Sequence, residues 1–230
     1  MTTYSCILLD LDGTILDSAP GIISTLAFTL ERIGQPIPAP AELLKWVGPP
    51  IMDSFRDFAG LNPEESAHAL AVYREKYLDA GAYDASLFPG MPTLIRDIHR
   101  RGIPLSLATS KPELPATLML EHFDLARHFT VITGASEDET RSAKADVVAE
   151  ALRRLHELGA DISNPVMVGD REHDIEGAAV HGVPTIAVEW GYGSPVEYVG
   201  AVALASTPAE LEELLFAEEL EEEEERAVAN

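Results

Sequence analysis

Apolar runs of strand length recur along the chain, separated by stretches with helical spacing. The runs are Ser5–Leu11, Ile103–Ala108, Phe129–Thr133, Pro165–Val168 and Thr185–Val188, with a weaker one at Ala201–Leu204. Helical patterns lie between them at Met91–Arg101, Leu114–Phe123, Ala143–Leu158 and Asp174–His181. Runs that are apolar throughout, rather than alternating, belong to strands covered on both faces, and their alternation with helices predicts a parallel sheet.

One stretch breaks this alternation. From Ser18 to about Leu87 no strand is predicted, and apolar positions recur at helical spacing through Ile22–Ile33, Ala41–Val47, Ile51–Phe58 and Pro63–Leu78. Asn62 before Pro63 is a helix start, with a capping side chain outside and proline in the first turn. The expected architecture is α/β, a Rossmann-like parallel-sheet core with an inserted all-helical cap. Residues 1–17 and 87–217 form the core, 18–86 the cap and 218–230 an acidic tail. The cap returns to the sheet through Phe88-Pro89-Gly90.

Composition narrows the classes of function. The 230 residues are 46% hydrophobic and 24% charged, which suits a globular domain, and the net charge is −23. Such a surface repels nucleic acid and anionic lipid, so neither is expected as a partner. Ten Glu and one Arg between Ala209 and Asn230 supply −9 of that charge. The run Glu218–Glu225 is expected to be a solvated tail beyond a last helix, Ala209–Phe216. The single cysteine, Cys6, sits in an apolar run and reads as a core residue. No segment approaches the roughly 20 apolar residues that span a bilayer, and the N-terminus lacks a secretory signal. A cytoplasmic protein is expected, monomeric or weakly dimeric.

In an open parallel sheet, ligands bind beyond the carboxyl ends of the strands. Asp10, Asp12, Gly13 and Thr14 come after Cys6–Leu9 in the first run; Thr109, Ser110 and Lys111 follow the second; Gly169, Asp170 and then Asp174 follow the fourth. Acidic groups, hydroxyls and a lysine thus gather at one edge. Phosphomonoester chemistry needs such a set: a carboxylate to attack phosphorus, a second acid for the leaving oxygen, and cations and donors around the phosphoryl charge. Carboxylates also suit a hard cation such as Mg²⁺.

Asp10-Leu11-Asp12-Gly13-Thr14, Thr109, a following lysine and Gly169-Asp170-Arg171-Glu172-His173-Asp174 resemble the four motifs of the haloacid dehalogenase-like superfamily. The resemblance spans nearly the whole chain, cap included. The nearest likeness is to its phosphoglycolate phosphatase-like and bacterial 5′-nucleotidase-like branch, carried by Trp46-Val47-Gly48-Pro49-Pro50, Thr109-Ser110-Lys111-Pro112 and Thr140-Arg141-Ser142-Ala143-Lys144. It implies a Mg²⁺-dependent phosphohydrolase of small phosphorylated metabolites acting through a phospho-aspartyl intermediate. Asp10 would be the nucleophile and Asp12 the general acid. Gly13 would permit the tight turn, with Thr14 beside the phosphate. Thr109 would hold a phosphoryl oxygen, with Ser110 replacing it if the register slips by one. Asp10, Asp170, the carbonyl of Asp12 and, through a water, Asp174 would hold the metal. Asp174 also reads as a helix cap. Lys144 is the first choice for the phosphate-binding lysine, with Lys111 at the entrance.

Substrate choice falls to the cap, around Lys45 and Trp46. Trp46 reads first as a packing residue and second as a platform for a base. A nucleoside 5′-monophosphate is the first expectation and phosphoglycolate the second. A phosphomutase, a dehalogenase and a phospho-accepting signalling domain are the alternatives.

Overall fold

The computed structural model describes residues 4–216; the acidic run Glu218–Glu225 lies outside them. Six parallel strands form one sheet in the order β5-β4-β1-β6-β7-β8. They are β1 (Cys6–Leu9), β4 (Leu105–Pro112), β5 (Val131–Ala135), β6 (Pro165–Gly169), β7 (Thr185–Val188) and β8 (Ala203–Ala205). Among the described residues no helix is long and apolar enough to cross a membrane.

β1 lies inside the sheet, between β4 and β6, and every residue in it is buried. Ile7 pairs with both Leu105 and Val166. Ile7 and Leu9 enter one apolar cluster, with α5 (Met91–Arg100), α6 (Glu113–His122) and the chain over 208–216. Cys6 and Leu8 enter the other, beneath α7 (Lys144–Glu157) and Ala178 of α8 (Glu172–Ala179). The twofold alternation of side chains thus divides one apolar run between two covered faces.

The strand predicted to reach Leu11 ends at Leu9. The carbonyl of Leu11 accepts hydrogen bonds from the N–H groups of Ile15 and Leu16, at 2.9 and 3.0 Å, which turns the chain out of the ladder. β4 is longer than predicted at its end, extending past Ala108 to Pro112 through a register irregularity that carries Thr109, Ser110 and Lys111 within the strand. α8 begins at Glu172, two residues before the expected start.

The cap helices are α1 (Ala19–Arg32), α2 (Pro40–Leu43), α3 (Ile51–Asp57) and α4 (Pro63–Asp79). α4 starts as its sequence predicts: Asn62 accepts hydrogen bonds from the N–H groups of Glu64 and Glu65, both at 3.0 Å, and the side chain of Glu65 returns one to the N–H of Asn62. Leu26, Leu30, Phe55, Leu70 and Tyr77 form the cap interior, continuous with the apolar layer under the sheet. The expectation of no strand between Ser18 and Leu87 needs correction. β2 (Leu16–Asp17) and β3 (Ser86–Leu87) pair antiparallel, so the two chain segments entering and leaving the cap are bonded to each other.

Candidate active site

β1 and β6 end side by side, so the residues after them converge. Asp10 and Asp170 are buried there, and Asp174 joins them from the first turn of α8. One carboxylate oxygen from each of the three lies within 4.8 Å of the others. Lys144, the first residue of α7, reaches into this cluster. Its Nζ donates to Asp10 at 2.6 Å, meets Asp174 at 2.7 Å and donates to the carbonyl of Ala108 at 2.9 Å. A lysine in a first helical turn opposes the helix dipole; here the carboxylates offset that cost.

Asp10 and Asp174 share one ammonium, and burial of the cluster shifts the ionisation of Asp10 and Asp170. Burial raises Asp10 to about 6; Lys144 opposes the shift and Asp174 adds to it. Burial also holds Asp170 well above the usual carboxylate range, with Asp174 and Asp10 adding to it. Burial alone would lower Lys144, but Asp10 and Asp174 outweigh it and raise the ammonium above its ordinary value.

Asp12 occupies a separate environment. The ammonium of Lys111 contacts its carboxylate oxygens at 2.8 and 3.1 Å, and the hydroxyl of Ser18 donates to one of them. Lys111, expected to line the entrance, is 8% exposed and lines the cavity beside Asp12, held by Asp12 and by the ring of Tyr77 at 4.8 Å. Lys144 and Lys111 divide the two aspartates between them. Thr109 accepts the N–H of Lys111 at 3.3 Å, while the buried hydroxyl of Ser110 has no protein partner and borders the cavities on both sides of it.

Asp174 closes the start of its own helix and at the same time holds Lys144. Its Oδ2 accepts the N–H of Arg171 at 3.0 Å, closing the start of α8, while Oδ1 takes Lys144. The hydroxyl of Thr14 points to Asp170, at 3.4 Å. Gly13 has φ +87°, and a Cβ built on it would stand 2.3 Å from a carboxylate oxygen of Asp170. Gly13→Ala is expected to displace Asp170 and destabilise the fold by about 1–3 kcal/mol. Weakened metal binding, measured by calorimetry alongside thermal melting, checks this.

The cap closes over this edge. Trp46 is buried and packs against Phe55 and Phe58, with ring centroids 6.3 and 5.4 Å away, as its packing role requires. One side of it also lines a cavity of about 280 Å³ that ends on Asp12, Ser110 and Lys111 and has Leu70, Tyr73 and Tyr77 in its walls. Its neighbour Lys45 is exposed and turns instead to an open cleft of about 790 Å³, bordered by Ser110, Lys144 and Arg171.

The loop after β7 escaped the sequence reading. The N–H of Tyr192 donates to Asp170 at 2.7 Å, and the indole of Trp190 donates to the carbonyl of Thr14 at 3.0 Å. Gly191 packs so closely on Asp170 that a Cβ would fall 2.4 Å from Oδ2. The signal was present in Trp190-Gly191-Tyr192-Gly193, which follows a buried strand at the same edge as the other candidate residues.

A parallel sheet with aspartates beyond two neighbouring strands, two lysines and an inserted helical cap defines a class of hydrolase. The model of the haloacid dehalogenase-like hydrolase family matches residues 7–188, and the chain belongs to that family. It is similar to a 5′-nucleotidase of Pseudomonas aeruginosa, 37% identical over 84% of this chain and 86% of that protein. It is also similar to the tyrosine-protein kinase PtkA of Mycobacterium tuberculosis, 44% identical over 81% of this chain; the match spans 62% of that protein's length. Among solved structures, a "predicted phosphatase" from Clostridium acetobutylicum superposes with a TM-score of 0.86 at 33% identity, covering 91% of this chain and 97% of that one.

Proposed function

We propose that the protein is a Mg²⁺-dependent phosphomonoester hydrolase that works through a phospho-aspartyl intermediate on Asp10. The observation that carries this reading is the pairing of two buried aspartates, two residues apart, each with its own lysine. Asp10 attacks phosphorus as the ester P–O bond breaks, and Asp12 passes its proton to the departing oxygen. Asp12 then takes a proton from water, which attacks the same phosphorus, freeing phosphate and restoring Asp10. Lys144 and the hydroxyls of Thr109 and Ser110 hold the phosphoryl oxygens.

The residues fit a divalent metal. Fully ionised, the three buried carboxylates against one ammonium would carry about −2, a charge that burial resists without a cation, and the donors are all oxygen, the chemistry of Mg²⁺. Asp10, Asp170 and the carbonyl of Asp12 would hold the ion, with Asp174 supporting its water. When bound, it supplies neutralisation of phosphoryl charge.

The walls of the cavity beyond Asp12 support the nucleotide reading over phosphoglycolate. They are largely aromatic and aliphatic, and their cations are engaged: Lys111 with Asp12, and Arg74 with Glu139 and the carbonyl of Glu137. A carboxylate on the leaving group would find no uncommitted cation in this lining, whereas a base would find Tyr73, Tyr77 and Trp46. The test is phosphate release with Mg²⁺ from a panel of phosphorylated metabolites, ranked by kcat/KM. Nucleoside 5′-monophosphates are expected to lead. Phosphoglycolate ahead of every nucleotide by ~100-fold, roughly 2.7 kcal/mol in the transition state, would reverse the substrate order and leave the phosphatase intact. Absence of phosphate release from every ester would refute the hydrolase.

A further inference from the structure

The first cap helix begins in an unusual way. Ser18 stands at the N-cap of α1, but its side chain makes no capping bond. Its hydroxyl is spent on Asp12 instead. A helix start leaves N–H groups that need an acceptor, and the phenol of Tyr192 supplies one. Its oxygen accepts from the N–H of Ser18 at 2.8 Å and of Ala19 at 3.0 Å, while its O–H donates to Asp17 at 2.9 Å. Tyr192 is 174 residues from Ser18, and its own N–H donates to Asp170. One loop residue therefore ties the backbone of Ser18 to the sheet edge and frees the Ser18 hydroxyl for Asp12.

We propose that Tyr192 is a positioning residue for proton transfer by Asp12, acting through Ser18. This rests on the reading of Asp12 as proton donor. With the phenol in place, Ser18 and Lys111 hold the Asp12 carboxyl from two sides and aim it at the departing oxygen. Without it, the start of α1 loosens, Ser18 is free to turn back and cap its own helix, and Asp12 loses one of its two restraints. The nucleophile is untouched, because neither Ser18 nor Tyr192 bonds Asp10.

The consequence is selective for the leaving group. A 4-nitrophenolate departs without a proton, whereas the alkoxide of benzyl phosphate, similar in size, must receive one. kcat/KM reports the steps up to that departure, so later activation of water does not enter it. Tyr192→Phe keeps the ring and the backbone N–H. It is expected to lower kcat/KM for benzyl phosphate ~10-fold and for 4-nitrophenyl phosphate no more than ~2-fold, with the Mg²⁺ concentration for half-activity unchanged. Ser18→Ala, which leaves Tyr192 in place, should give the same selective loss, and Ser18→Thr should restore the parent ratio. Equal losses on the two esters in Tyr192→Phe and Ser18→Ala, or no loss on either, would overturn the proposal. Asp12→Asn separates the two levels. If it too leaves the ratio of the two esters unchanged, the proton-donor reading itself fails; if it shifts the ratio while Tyr192→Phe does not, only the role of Tyr192 fails.

Discussion

Asp10→Asn is expected to lose at least ~10³-fold in turnover of any phosphomonoester while folding as the parent does. The amide keeps the size of the carboxyl but cannot form an acyl phosphate, and no other carboxylate replaces it: Asp12 is tied to Lys111, and Asp170 faces the Tyr192 loop. Stability should move the other way. Asp10 is raised from 3.8 to about 6, so its ionised form burdens the folded state above that pH. Removing the charge leaves Lys144 still paired with Asp174. In chelator at neutral pH the variant should melt no lower than the parent. Calorimetry beside steady-state kinetics reads both effects, and retained activity in the variant would end the covalent mechanism.

Removing the metal is expected to have an effect of similar size on rate, and one on stability that depends on pH. Chelation should abolish activity and Mg²⁺ restore it. Ca²⁺ should bind yet inhibit, because its coordination is larger and looser. The folded protein holds protons on Asp10 and Asp170 that the unfolded chain has already released above pH 4. For Asp10, stability of the metal-free protein should therefore fall as pH rises from about 4 through 6, and Asp170 should add a loss in the same direction. Lys144, raised above its ordinary value, stays charged throughout this window and contributes no slope. For Asp10 alone, the shift to about 6 corresponds to roughly 3 kcal/mol, or at least ~5 °C in melting temperature for a chain this size. Thermal melts in chelator at pH 5 and pH 7.5 check the slope. Mg²⁺ should raise the melting temperature more at the higher pH, and a flat profile would count against the buried acid cluster.

The candidate site residues were legible where they follow buried strands. Asp10 and Asp170 come directly after apolar strands and Asp12 two residues beyond Asp10, and in a parallel sheet that position has one spatial meaning. Lys144 was legible through the family pattern, since periodicity alone marks only the start of a helix. What escaped depends on which side chain meets which. Lys111 and Lys144 are equivalent as letters; their division between Asp12 and Asp10 is set by the bulged end of β4 and the start of α7. Ser18 and Tyr192 are 174 residues apart and meet only because β7 and the start of the cap lie at the same edge. The short ribbon β2–β3 was invisible because two residues are too few for any alternation to register.

That ribbon has a consequence for how the chain finds its shape. β1 must pair with β4 across roughly a hundred residues of sequence, and much of that separation is the cap. Long separations slow folding because the intervening loop loses entropy before any contact rewards it. Once Leu16 meets Leu87 the excursion is tied off at its neck, and the path along the chain from Leu9 to Leu107 shortens to under about 30 residues. The four bonded residues turn a distant pairing into a near one, so the central pairing of the sheet no longer waits on the whole length of the cap.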